Sequence, residues 1–155
     1  MGNQNTASFQ TLKDLPNPFH QAQCVLHKHE LLICGGYYQR DCYSYHTLKN
    51  EYKFICEYPS DIKLCGHCVV KLVDNNNNNS KYSNQITLLS FGGHQYSNKH
   101  TLVMKYVSVW SNDNNINENE IDKSNNYNQW LPFTNNRDHP IIIGRYGDCY
   151  VGVRA

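Results

Sequence analysis

Short apolar runs recur along this chain, separated by polar segments and by turns that contain glycine or proline. Two of these runs end on a double glycine: residues 31–34 before Gly35 and Gly36, and residues 88–91 before Gly92 and Gly93. Runs this short are typical of buried strands and are too brief for helices. Two glycines mark a strand end where the backbone takes positive φ or approaches another segment closely. Because the pattern occurs twice, it predicts a structural repeat.

The remaining apolar segments also have the length or the alternation of β-strands, and no stretch keeps a 3.6-residue apolar period. The predicted strands cover residues 9–16, 24–26, 31–36, 42–46, 51–59, 68–73, 86–93, 102–110 and 129–133. The asparagine-rich runs at 75–80 and 111–128 can bury little apolar surface and are predicted to be solvated loops. The pattern therefore predicts an all-β fold.

Composition narrows the class of protein. The 155 residues suffice for one domain with a core, and 14 basic against 13 acidic residues leave no electrostatic footprint for nucleic acid. No run is long enough to span a bilayer, and no charged-then-apolar leader opens the chain, which argues against secretion. We therefore interpret the seven cysteines as reduced thiols and expect a cytoplasmic protein.

The first eight residues are predicted to be a flexible tail. Gly2, with Thr6 behind it, fits the N-myristoylation pattern, although a small polar tail can meet so loose a pattern by chance. No basic cluster follows. A single acyl chain on Gly2 would give only weak, reversible membrane attachment.

The two units resemble the kelch-motif family, whose units are propeller blades with an apolar run, a double glycine, and then a spaced tyrosine and tryptophan. Tyr45 follows the first double glycine, and Tyr52 or Phe54 stands where the family has tryptophan. The missing tryptophan of the first unit and the stretched spacing of the second depart from the family pattern. In the second unit Tyr106 follows the double glycine, with Trp110 or Trp130 as the aromatic.

The resemblance implies a partial propeller of about two four-stranded blades plus the start of a third, spanning residues 9–155. We expect units at about 20–66 and 67–135, and a third unit that begins near 138, where residues 141–153 look like its opening strand. Residues 9–16 resemble the last strand of a blade. Because propellers close with four to eight blades, the chain is expected to be a fragment of a larger propeller with exposed sheet edges.

What the resemblance implies about function is a non-enzymatic scaffold whose loops contact a protein partner, the identity of which the sequence does not indicate. The candidate contact residues follow the double glycines, because loop tips after rigid strands commonly carry function: Tyr37, Tyr38, Gln39, Arg40, His94, Gln95 and Tyr96. The competing class is a metal-dependent enzyme. Galactose-oxidase-type copper enzymes share the propeller fold, but no motif here specifies their tyrosine, histidine and cross-linked cysteine set.

The best metal candidate in the sequence is Cys65, His67 and Cys68, a C-x-x-C with an internal histidine. Zinc sites usually need a second such pair, which the chain lacks, and strand alternation alone would bury Cys68. A structural role is therefore favoured over a zinc module, and we expect no cofactor, no metal and no catalytic residue.

Overall fold

The computed structural model describes residues 11–73, 85–111 and 126–153, which form eight β-strands and no α-helix. In chain order these are β1 (Gln23–His27), β2 (Glu30–Gly36), β3 (Gln39–His46), β4 (Glu51–Glu57), β5 (His67–Leu72), β6 (Gln85–Gly92), β7 (His100–Val107) and β8 (Leu131–Pro132). Consecutive strands pair antiparallel in two four-stranded sheets, β1-β2-β3-β4 and β5-β6-β7-β8. The predicted all-β fold is confirmed. Within the described ranges, no helix has the length and apolar character required to cross a bilayer.

The hydrophobic core lies between the two sheets. Alternate residues of β2 in the first sheet, Leu32 and Cys34, are fully buried in this core. Leu88 on β6 and Met104 on β7 are buried in it from the second sheet. This is the period-two pattern of strands with one face in the core. Because each fully buried side chain of this size contributes about 1.5–3 kcal/mol, the inter-sheet interface is a main source of stability. The backbones of the sheets approach most closely at their first strands, β1 and β5.

A buried carboxylate joins the two sheets. Glu30, at the start of β2, accepts hydrogen bonds at Oε2 from the hydroxyls of Ser44 and of Tyr106, which belongs to the second sheet. The indole Nε1 of Trp110 donates to Ser44 Oγ at 2.9 Å. All four residues are buried. A buried charge is tolerated only when it is hydrogen-bonded, so this set requires one alignment of the sheets.

A second set of contacts crosses the interface at the other end of the strands. Tyr58 stacks on Trp130 with ring centroids 4.8 Å apart, and its hydroxyl donates to Ser90 Oγ at 3.0 Å. Ser90 Oγ also lies 3.1 Å from His100 Nε2. Burial, and to a smaller extent the neighbouring His67, lowers the pKa of His100 to about 4. His100 is therefore neutral in the folded protein near neutral pH.

The described part of the segment predicted as a leading strand, residues 11–16, forms no strand. Its backbone is held by side chains instead: Lys13 N donates to Asn50 Oδ1, and Tyr52 donates its hydroxyl to Lys13 O. Pro16 has no N–H to donate to a ladder. The strand prediction for these residues is wrong, because side-chain hydrogen bonds replace the backbone pairing that a strand needs.

Residues 141–153, predicted as the opening strand of a third unit, also form no strand. Gly144, Gly147 and Gly152 have φ of 102°, 99° and 81°, which interrupts any extended run. The segment folds back on the second sheet: Ile143 N donates to Thr101 Oγ1, and Tyr150 packs against Phe91. The strand prediction for this segment is therefore wrong.

Replacing Tyr106 by Phe is expected to lower the free energy of unfolding by about 2 kcal/mol, because Glu30 loses a hydrogen bond that cannot be replaced by water. Urea denaturation followed by tryptophan fluorescence measures the change. The matched control is Tyr96→Phe, since Tyr96 is 71% exposed and its hydroxyl is solvated. The control should stay within about 0.5 kcal/mol of the unchanged protein. Equal effects of the two substitutions would contradict the role given to Glu30.

Stability should fall as the pH decreases from 6.5 toward 4. The pKa of His100 is lowered from its usual 6.5 to about 4, so in this window the unfolded chain binds a proton that the folded chain does not. The loss reaches about 3 kcal/mol at the acid end, and His27, whose pKa is also lowered, adds to it. Urea midpoints measured across this range should decline less steeply in His100→Gln. The exposed control His139→Gln should keep the full slope.

Candidate functional site

The two double glycines occupy matching places in the two sheets. Gly35 and Gly36 end β2, and Gly92 ends β6 with Gly93 directly after it. Each pair therefore lies at the end of the second strand of its sheet. The candidate contact residues follow directly: Tyr37 and Tyr38 form the β2–β3 turn, Gln39 and Arg40 begin β3, and residues 94–96 lie in the β6–β7 connection. We call this end of the two sheets the double-glycine end.

Glycine is required at the first pair because other parts of the chain touch the backbone there. Gly35 has φ of 56°, and a Cβ built on it would clash with Leu64 Cδ1. A Cβ on Gly36 would lie 2.7 Å from the carbonyl oxygen of His20. The same neighbours bind the turn: Tyr37 N donates to His20 O, and Tyr38 N donates to Leu64 O. The β4–β5 connection and the segment before β1 therefore hold the tip rigidly.

The repeat-defining tyrosines of the two sheets differ in register. Leu31 and Leu88 each lie four residues before the first glycine of their pair, and their partners on the third strand are Tyr45 and Met104. Tyr106 pairs with Ile86, two residues farther from the glycines. Tyr45 and Tyr106 are therefore on corresponding strands but one pleat apart.

The fourth-strand aromatic is Tyr52 in the first sheet, directly opposite Tyr45 with ring centroids 4.8 Å apart. In the second sheet Trp130 immediately precedes β8, whose first residue pairs with Val103, so Trp130 stands beside Met104. Phe54 is 50% exposed. Trp110 lies beyond the end of β7. Of the alternatives left by the sequence, Tyr52 and Trp130 hold the corresponding positions.

Corresponding residues point in opposite directions relative to the inter-sheet core. Leu88 and Met104 are buried in that core, whereas Leu31 and Tyr45 belong to the other face of their sheet, since their neighbours Leu32 and Ser44 face the core. The two sheets thus stack front to back. The face of the first sheet that contacts the core corresponds to the face of the second sheet that points away from it.

The candidate contact residues form two groups at the double-glycine end, in which the tyrosines are exposed and the other residues are partly buried. Tyr37 and Tyr38 are 43% and 69% exposed with ring centroids 4.3 Å apart, and their hydrogen bond raises the pKa of Tyr37. Tyr96, 71% exposed, lies 6.0 Å from the ring of His94. Arg40 forms an ion pair with Glu57 at 3.4 Å and lies at the side of this surface.

The β4–β5 connection links the two groups. Leu64 binds the Tyr38 backbone, and the preceding residues 61–63 form one wall of a groove of about 450 Å³ whose other wall includes Tyr96 and Lys99. Exposed tyrosines on a rigid base supply contact area at low entropic cost, which suits protein recognition. The groove walls also carry Asp61 and Lys63. The surface can make aromatic contacts together with charged contacts of either sign.

The structure does not gather Cys65, His67 and Cys68 into a ligand set. His67 is buried and donates from Nε2 to the carbonyl oxygen of Cys34 at 3.0 Å. In the part of the chain that the structure describes, no group of three or more histidine, cysteine or acidic side chains is placed to hold a metal ion. Gly2, the lipidation candidate, lies outside the described residues.

Sequence analysis missed a row of three thiols in the core. Cys34 pairs with Cys42 across β2 and β3, and Cys42 pairs with Cys56 across β3 and β4. Trp130 Nε1 donates to Cys42 Sγ at 3.4 Å, and Cys56 Sγ lies 3.7 Å from Met104 Sδ. A hydrogen bond with Cys42, together with burial, raises the pKa of Cys34. These contacts are those of closely packed core thiols, and only the register could have revealed them.

Comparison of the chain with protein-family models, with curated proteins and with solved structures finds no match. The site therefore has to be interpreted from its own geometry.

Gly35→Ala should destabilise the protein by about 1–3 kcal/mol more than Gly152→Ala. Both glycines have positive φ, so both substitutions introduce backbone strain of about 1 kcal/mol. Only at Gly35 would the added Cβ clash with Leu64 and Tyr58, because nothing lies within 4 Å at Gly152. Urea denaturation of the two variants measures the difference. Equal losses would show that the close packing at the first double glycine is not required.

Proposed function

We propose that this chain is a protein-interaction scaffold without catalytic activity, built from two kelch-type propeller blades that present tyrosine-bearing loops to a protein partner. The observation that carries the proposal is the repeat. Two consecutive four-stranded antiparallel sheets each end their second strand on a double glycine, followed by an exposed aromatic loop.

The stacking of the sheets supports the comparison with blades. Successive blades around an axis pack with the same side turned the same way, and they approach most closely at their innermost strands. Leu31 and Leu88 have the opposite orientations that such stacking requires. Strands β1 and β5 are the closest pair between the sheets, as innermost strands would be.

A closed propeller ring would need blades in addition to the two described sheets. Propellers close with four to eight blades, whereas the described residues of this chain form two sheets. We propose that it forms part of a larger ring. The check is whether the coding sequence downstream of Ala155 continues with further double-glycine units.

The exposed tyrosines support the interaction role. Tyr37, Tyr38 and Tyr96 have large exposed areas, whereas other tyrosines of this chain, such as Tyr58, are buried in the core. Aromatic residues of this kind are enriched at the energetically important centres of protein interfaces. We propose that Arg40 and His94, at the margins of the two groups, add polar contacts.

The double substitution Tyr38→Ala with Tyr96→Ala should reduce partner binding about tenfold or more while leaving stability unchanged. The experiment immobilises the full chain, passes extract of its source cells over it, and quantifies retained proteins by mass spectrometry. The matched control is Tyr146→Ala, since Tyr146 is 84% exposed but lies in the segment after the second sheet.

A partner retained by the unchanged chain and by Tyr146→Ala, but lost from the double variant, would support the proposal. Equal retention by all three proteins would contradict the assignment of the surface. Stoichiometric copper or zinc in the purified chain would instead favour a metal-dependent function.

A further inference from the structure

A pocket of about 230 Å³ lies at the opposite end of the sheets from the double glycines. Its walls come from the turn between β1 and β2, from the end of β3 and from the residues that follow β7. The lining includes His27, Lys28, Glu30, His46, Ser108 and Trp110. We call it the His27 pocket. It is independent of the interaction surface and of the propeller proposal.

His27 lines this pocket, and its Nε2 is a buried polar atom. The residue is only 6% exposed, and among the described residues no hydrogen-bond partner reaches its Nε2. Its ring packs edge-on against Tyr106, which holds it in place. A buried unsatisfied nitrogen costs about 1–3 kcal/mol, and a bound ligand that accepts its proton would remove that cost.

Among the described residues, the charges that act on His27 are mostly positive. Burial is the main cause of the lowered pKa of His27; the charges of Lys71 and Lys28 lower the pKa further, and the charge of Glu30 opposes them. Lys53 and Lys49 lie over the Trp110 ring, with their Nζ atoms 4.5 Å and 5.3 Å from its centroid.

Glu30 is the acidic group in the wall, and it already accepts hydrogen bonds from Ser44 and Tyr106. Its charge is therefore partly compensated within the protein. A cation would find no set of three ligating side chains in the described part of the chain. A small anion, by contrast, would meet a buried donor with several lysines around it.

We propose that the His27 pocket binds a small oxyanion, the phosphate or carboxylate group of a small molecule. The neutral His27 ring donates its Nε2 hydrogen to an oxygen of the anion. Lys28, which also lines the pocket, supplies positive charge, and the Ser108 hydroxyl, which accepts from Trp110 N, donates its hydrogen to the anion. Phosphate and carboxylate share this chemistry, and the experiment separates them.

The test is an NMR titration of the full chain, ¹⁵N-labelled, with inorganic phosphate and, in a second arm, with acetate. Sodium chloride at the same ionic strength is the reference. The chain has two tryptophans, so two indole N–H signals are observed. Trp110 lines the pocket and Trp130 lies in the core, and Trp110→Phe assigns the signals.

We expect a saturable shift of the Trp110 indole and of the His27 imidazole, with the Trp130 signal unmoved. His27→Phe, which keeps the ring but removes both nitrogens, should weaken binding about tenfold or more. Lys28→Met should weaken binding several-fold, and it keeps the test decisive if His27→Phe does not fold. The matched control Lys63→Met, at the double-glycine end, should bind as the unchanged chain does.

Saturation by phosphate alone would identify a phosphate-bearing ligand, and saturation by acetate would identify a carboxylate. The proposal is overturned if neither anion produces a saturable shift in the folded protein. It is also overturned if chloride produces the same shift, or if His27→Phe and Lys28→Met both bind as tightly as the unchanged chain.

Discussion

The buried carboxylate of Glu30 is the constraint on which the arrangement of the two sheets depends. It lies at the start of β2, where its hydrogen-bond donors come from β3 and, across the interface, from β7. Apolar surfaces can slide past one another at modest cost, but an unpaired buried charge costs several kcal/mol. We infer that this group selects one alignment of the sheets out of the several that apolar packing alone would allow.

The rest of the interface builds on that alignment. Trp110 reaches Ser44, which already donates to Glu30, and Trp130 stacks on Tyr58 near the other end of the strands. The indole N–H of Trp110 donates to Ser44 Oγ, and the indole N–H of Trp130 donates to Cys42 Sγ, so both tryptophans bind the first sheet. The interface has polar contacts at both ends, and thiols and apolar side chains lie between them. The two sheets therefore fit together in one alignment along the whole interface.

The two ends of the sheets consequently offer different chemistry. At the double-glycine end, the packing of Leu64 and His20 against glycine backbone supports exposed tyrosines, which suit a protein surface. At the opposite end, His27 and the surrounding lysines form a small basic pocket, which suits an anion. The same inter-sheet packing holds both ends, so a ligand in the pocket and a partner on the tyrosines would act on one rigid body.

The local features of this protein were determined by its sequence alone. Strand positions follow from the period-two apolar pattern, and the strand ends follow from double glycines, because both depend on neighbouring residues only. The terminal segments failed as strand predictions, since an apolar run becomes a strand only if a neighbour accepts its backbone hydrogen bonds. The tertiary structure alone decided that Glu30 meets Tyr106, that three thiols align, and that the Nε2 of His27 is buried with no partner among the described residues. These relations join residues as many as 76 positions apart, and no local pattern records which distant side chain will fill a given contact.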